Sequence, residues 1–256
     1  MTDLVHEALC FELAREAENA RWRVNDIPWA EIDRARVTPG WLALVRAVAF
    51  SELTTTSATQ RFLSEFGRDV DLTQWISVWF YEETRHPQVL MRWLAELGSS
   101  CDEDFVLRGR ATAPFMRSQI GTLVTNVISE IVASAAYAAM ASHSPEPVLA
   151  RIAQHLAGDE ARHAASFYRY AERYLERSAE RDADRRDALK VLHLWVGDGE
   201  MRHPVHEFYE RNRDTFKELA IEPTFPIDRI VRTIGVLVDL PLESAADVRD
   251  ALRGTT

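Results

Sequence analysis

Apolar residues recur every three or four positions over most of this chain, with few turn residues between them, and that period predicts an all-α protein. Leu4, Ala8, Phe11, Leu13 and Ala17 mark a first helix over residues 3–20. Residues 21–38 mix Pro28, Asp26, Asn25 and the tryptophans Trp22 and Trp29, and read as a mainly irregular arm. Thr38 can cap and Pro39 suits a first helical turn, so the next helix runs from there to Gly67. On its face Val45, Val48, Ala49, Thr56, Thr59 and Leu63 share a stripe with Glu52. A second long helix, capped by Asp69 or Asp71, passes through Trp75, Trp79, Glu83, His86, Leu90 and Leu94 to Gly98. Residues 99–113 lack a period and read as a crossover. Pro114 opens a third long helix, in which Leu123, Val127, Ser134, Tyr137 and Ala141 align with Glu130. After the turn His143–Pro147, a fourth helix aligns Leu149, Ala153, Leu156, Phe167 and Tyr174 with Glu160 and His163.

Carboxylates inside apolar stripes change the picture. Glu82-Glu83-Thr84-Arg85-His86 and Asp159-Glu160-Ala161-Arg162-His163 are two versions of one motif, each with a Glu-x-x-His pair. Residues three apart lie on nearly the same helix face, so each pair presents a carboxylate and an imidazole to one point. Glu52 and Glu83 are 31 positions apart, Glu130 and Glu160 are 30 apart, and a turn falls near each midpoint. Two antiparallel helix pairs would therefore bring the four groups level, with a long crossover between the pairs. Two Glu-x-x-His pairs and two single glutamates are the ligand set of a dinuclear carboxylate centre. Glu52, Glu83, His86, Glu130, Glu160 and His163 are the expected metal ligands. Glu83 and Glu160 are the bridging and catalytically central pair, with Glu52 and Glu130 terminal. Four carboxylates balance two divalent cations, which makes such a set of buried charges tolerable. Asp159, Arg85 and Arg162 are placed to orient a ligand histidine or to pair with a carboxylate.

Other groups stay outside this set. His155 points off the ligand face, and Glu200 and His203, between Gly199 and Pro204, read as a surface or capping pair. The seven tryptophans read as core rather than as an electron relay. The charge-dense run 176–190 reads as a solvated helix face; Arg177, Arg181, Arg185, Arg186 and Lys190 would alternatively form a basic surface for an acidic partner. Three shorter helices capping one end are expected in the remainder. The chain then forms one domain: helix and arm (1–38), four-helix core (39–175) and C-terminal helices (176–256).

The formal net charge of −10 leaves no basic surplus to neutralise phosphates, which argues against nucleic acid as a partner. Two cysteines, Cys10 and Cys101, give neither a metal spacing nor a disulfide framework, as expected for a reducing cytoplasm. The N-terminal stretch is interrupted by charge and does not read as a signal peptide, and no uninterrupted apolar run is long enough to predict a membrane span.

The motifs YEETRH and GDEARH, together with Glu52 and Glu130, resemble the ferritin-like di-iron carboxylate superfamily, and within it most of all the soluble acyl-carrier-protein desaturases. The resemblance covers roughly residues 40–175 and extends to the Pro-x-His segment in HPVHEFY. It implies a ferritin-like four-helix bundle with a dinuclear centre, holding two irons or a manganese–iron pair, with dioxygen as co-substrate. It also implies a ferredoxin-type electron donor, a small organic or acyl substrate held free or on an acyl carrier protein, and a homodimer. The chain departs from those desaturases in length, in its acidic charge and at Ala133, where they carry a threonine implicated in oxygen handling. Related arylamine N-oxygenases add a histidine where this chain has Leu156. Iron storage would leave the N-terminal arm and the C-terminal residues without use. A radical-generating role would need one of Tyr81, Tyr137 or Tyr168 beside a metal.

Overall fold

The structure is a computed structural model that describes residues 8–110, 118–197, 204–221 and 225–254. Among these residues every regular element is helical. They fall into two compact units, and the long helices that carry Glu130 and Glu160 run through both. Of the described residues, one unit comprises 8–110, 137–159 and 212–221; the other comprises 118–136, 160–197, 204–211 and 225–254.

In the first unit, α1 (Leu9–Ala20), α2 (Pro39–Glu52) and α3 (Thr55–Glu65) pack on α4 (Val70–Glu96). The part of the predicted first helix before Ala8 lies outside the described residues. Both aspartates offered by the sequence as caps are used. Asp69 accepts the Leu72 N–H at 3.0 Å and starts α4. Asp71 instead accepts the N–H groups of Leu9 and Cys10, at 3.1 and 2.7 Å, and so closes the otherwise uncapped start of α1. The arm follows as three short 3-10 turns, Val24–Asp26, Trp29–Glu31 and Arg34–Arg36.

The single helix expected over residues 39–67 is interrupted immediately after Glu52. Leu53 and Thr54 keep right-handed helical angles, but their N–H groups bond three residues back, to Phe50 and Ser51. The hydroxyl of Thr54 takes the Ser51 carbonyl at 2.8 Å, and that of Ser57 takes the Thr54 carbonyl at 2.9 Å. Hydroxyl side chains in the run Thr54-Thr55-Thr56-Ser57 thus compete for carbonyls with the next turn of backbone, and the helix tightens and breaks. The apolar period alone does not show this, because it continues across the break.

Helix α4 continues unbroken through Pro87, directly after His86. Pro87 has no N–H to give to the carbonyl one turn back, which belongs to Glu83, so the ladder loses its bond beside the Glu-x-x-His pair. The crossover is not wholly irregular: α5 (Glu103–Gly109) is capped by Asp102, packs on α2 and buries Phe105. Short α10 (Arg213–Glu218) also packs on α2.

Helix α6 (Gln119–His143) has Ser118 at its start, accepting from the Gly121 N–H at 3.2 Å; the expected start at Pro114 lies outside the described residues. Its length and mean hydropathy of 1.4 would let it cross a membrane, but 61% of that stretch is buried, as in a core helix. Helix α7 (Pro147–Arg177) is capped by a carboxylate the sequence did not single out. Glu146, 1% exposed, accepts the N–H groups of Val148, Leu149 and Asp33 and the indole N–H of Trp93. It ties the arm and α4 to the start of α7.

In the second unit the charge-dense run is helix α8 (Arg181–Val196), on which α11 (Ile227–Leu237) and α12 (Ala245–Gly254) pack. Arg181 and Arg185 both pair with Asp239, and Lys190 pairs with Asp187, which fits the solvated helix face. With α9 (Pro204–Arg211) and α10, four short helices follow α8 among the described residues, where three were expected. Short helices interrupted at Asn212 and Pro226 carry too few turns for a clear period. Gly199, Glu200 and His203 lie outside the described residues. Six of the seven tryptophans are buried, and Trp29 is half-buried.

Candidate metal centre

The first unit presents His86 in the middle of α4, fully buried and one turn after Glu83. Its Nε2 lies 3.2 Å from Asp159 Oδ2. A carboxylate only accepts, so this contact places the ring proton on Nε2 and turns the Nδ1 lone pair the other way. Nδ1 faces Glu52 Oε2 at 3.6 Å and Glu83 Oε2 at 3.8 Å. Those separations are too long for hydrogen bonds. They suit three donors to one ion, since ligand atoms each about 2.1 Å from a metal lie roughly 3–4 Å apart.

Asp159, 0% exposed, is a hub. Oδ2 receives the indole N–H of Trp22 at 2.8 Å and Arg85 Nη2 at 3.3 Å, in addition to His86. Arg85 also bonds Glu82 at 3.0 Å and the Trp22 carbonyl at 2.7 Å, and its guanidinium lies over the rings of Trp22 and Tyr81. A buried cation therefore meets two carboxylates, and its charge is balanced locally. Trp22 was read from sequence as core alone; the structure buries it and also uses its one polar atom.

His155 stacks on Trp22 with ring centroids 5.2 Å apart. Burial, followed by the Arg151 charge, holds its pKa below the ordinary imidazole value, against a smaller opposing pull from Asp159. The unfolded chain then binds more protons than the folded one as pH drops through the unfolded value of about 6.5, so this histidine lowers stability on the acid side. His155→Phe keeps a ring on Trp22 and is expected to flatten the decline of the urea midpoint below that pH. A decline as steep as that of the natural protein would remove His155 as its source.

Glu52 closes α2, and its side chain is 13% exposed. Its Oε1 accepts the hydroxyl of buried Tyr137 at 2.5 Å. Beyond the helix break, the hydroxyl of Thr55 donates to Glu83 Oε2 at 3.2 Å. No sequence period could have found Thr55, because its position follows from the break. Tyr137 was visible as a residue in line with Glu130, seven positions on.

In the second unit Glu130, Glu160 and His163 are buried, at 7%, 1% and 1% exposed. His163 Nδ1 lies 3.2 Å from Glu160 Oε2, as the i, i+3 spacing on α7 predicts. Arg162, next to it, is half-buried and its carbonyl accepts the Ser166 hydroxyl at 2.9 Å.

Two overlapping donor sets contain all six residues. One ligand atom each from Glu52, Glu83, His86 and Glu160 lies within 4.8 Å of the others, and the same holds for Glu83, Glu130, Glu160 and His163. Glu83 and Glu160 occur in both. Hard carboxylate oxygens with one imidazole per set suit iron or manganese better than soft, thiol-seeking metals.

No family model matches this chain, and no curated protein matches it. Solved structures do. One R2-like ligand-binding oxidase with an anaerobically reconstituted Mn/Fe cofactor matches with a TM-score of 0.59 at 13% identity, over 93% of this chain and 94% of that one. Another, with an aerobically reconstituted Mn/Fe cofactor, matches at 0.56 and 15% identity over 99% of this chain and 92% of that one. A third, with an Fe/Fe cofactor, matches at 0.50 and 15% identity over 93% and 94%. The likeness is one of fold: the chain has an all-α, ferritin-like architecture.

Proposed function

We propose that the chain is a dioxygen-dependent dinuclear-metal oxidase acting on a small organic substrate, with Glu52, Glu83, His86, Glu130, Glu160 and His163 binding two irons, or one manganese and one iron. The observation that carries this reading is the pair of overlapping, buried four-residue donor sets. The matching solved structures are named as ligand-binding oxidases with Mn/Fe or Fe/Fe cofactors, which supports both the metals and an organic molecule near them. When bound, the metal pair supplies the reduction of dioxygen and the oxidising power that removes hydrogen from the substrate.

The chain's own residues do the rest. Asp159 fixes the tautomer and orientation of His86. Glu83 and Glu160, common to both sets, would help to hold both ions. Burial of the donors keeps water from competing with the substrate. Trp22, Asp159 and His86 form a hydrogen-bonded line from the arm toward the centre, and reduction of the metals calls for a ferredoxin-type electron donor. The substrate is an acyl or other small molecule, free or on a carrier protein, that is desaturated or hydroxylated. The working form is a cytoplasmic homodimer. N-oxygenation of the arylamine type is disfavoured, since fully buried Leu156 stands where the extra imidazole would be.

A second reading, radical generation, draws on Tyr137: its hydroxyl bonds Glu52 and its ring centroid lies 6.4 Å from that of His86, whereas Tyr81 is half exposed. The test is an anaerobic titration with Fe(II), alone and with Mn(II), followed by air. Two ions per chain and dioxygen consumption without a lasting tyrosyl signal in electron paramagnetic resonance are expected. A persistent radical would favour the second reading, uptake of many irons per chain would make it a storage protein, and no stoichiometric binding of either metal would sink the metal centre.

A further inference from the structure

Two oxygens of one carboxylate at the first donor set are treated differently by the protein. Glu52 Oε1 accepts the Tyr137 hydroxyl at 2.5 Å, while Oε2 faces His86 Nδ1 at 3.6 Å. Tyr137 is 3% exposed, and its ring meets that of His86 edge-on at an interplanar angle of 74°. Packing therefore leaves the phenol little freedom to swing away from Glu52. Glu52 itself is the last residue of α2, followed at once by the tightened turn at Leu53 and Thr54. A carboxylate at the end of a helix, with a break behind it, has more freedom than one in mid-helix, and something must restrain it if it is to bind in one manner.

Resting on the dinuclear reading above, we propose that Tyr137 is a positioning residue that restricts Glu52 to a single ligand oxygen, Oε2, and so sets the coordination number of the metal held with His86. The phenol O–H occupies the lone-pair direction of Oε1 that a chelating geometry would need. An O–H donated to an anionic oxygen is a strong hydrogen bond, and displacing it in a buried site forfeits that bond. A carboxylate restricted in this way leaves one coordination position for another molecule. The same carboxylate with both oxygens released would fill that position.

Cobalt(II), which reports coordination number through its visible ligand-field bands, is the probe. The natural protein and Tyr137→Phe, each complete and metal-free at the start, are titrated with Co(II), and the melting of both apo forms is recorded as a control on folding. In Tyr137→Phe the band intensity is expected to fall, the mark of a higher coordination number. Affinity at one of the two sites is expected to weaken about tenfold, the scale of losing a group that orients a ligand. Identical spectra and affinities in the two proteins would overturn the proposal. Should Tyr137→Phe fail to fold, a crystal structure of the Co(II)-loaded natural protein decides: Oε2 alone on the metal with Oε1 on Tyr137 upholds it, and both oxygens on the metal refute it. If the natural protein takes up no Co(II), the dinuclear reading fails first, and that outcome is distinct from unchanged spectra.

Discussion

Glu160→Ala is expected to remove both metal ions, whereas His163→Ala should remove only one. The difference follows from membership of the donor sets. Glu160 supplies an atom to both, and His163 to one. Apo stability should move the opposite way. Without cations, the buried carboxylates of the donor sets face one another, and removing one relieves like-charge crowding. Removing one carboxylate from such a group relieves part of that repulsion. The apo form of Glu160→Ala is therefore expected to melt several degrees above the natural apo protein, and to gain nothing when Fe(II) or Mn(II) is added. Metal content by mass spectrometry and calorimetric melting with and without metal decide the matter. Equal losses of metal from Glu160→Ala and His163→Ala would contradict the shared-ligand assignment.

Asp159→Ala should be the most damaging single change for the fold. It removes the acceptor of Trp22, Arg85 and His86 at once. Arg85, whose side chain is 7% exposed, would keep only Glu82 as a charged partner among the contacts described. Breaking a buried ion pair in this manner costs about 3–5 kcal/mol. For a chain of this size that corresponds to a fall in melting temperature on the order of 10 °C. Asp159→Asn separates the two roles. The amide oxygen can still accept from Trp22, but the lost charge and the unwanted N–H face Arg85 and His86. A smaller loss of stability is expected with about 10–100-fold weaker metal binding at the His86 site. Undiminished metal affinity in Asp159→Asn, at any stability, would show that Asp159 does not orient His86.

The six proposed donors stand out in the sequence because two independent periods coincide on them. The 3.6-residue helical repeat places Glu83 with His86 and Glu160 with His163, and the near-equal spacings Glu52–Glu83 and Glu130–Glu160 single out the two remaining glutamates. Such relations survive in any sequence that forms the helices. What the sequence hid depends on single side chains competing with backbone. The break after Glu52 is driven by hydroxyls of a threonine–serine run that also fit an amphipathic stripe. Glu146 looked like part of a turn, because nothing in its neighbours reveals that Trp93 and Asp33 will come to it. Trp22 has the composition of a core residue, and only the position of Asp159 gives its N–H a role. Pro87 has no effect on the apolar period, so a helix passing through it leaves no trace in the pattern.

The hub at Asp159 joins the N-terminal arm to the helix that carries His86. Trp22 belongs to a segment with only short turns of its own, yet it shares an acceptor with a candidate metal ligand. Any equilibrium in which the arm loosens is then thermodynamically linked to metal occupancy. Metal that favours the bonded arrangement lowers the population of the loosened arm by the same factor by which a loosened arm lowers metal affinity. Resistance of residues 21–38 to protease becomes a measure of events at His86, and a ligand that grips the arm from outside would control the centre without touching it.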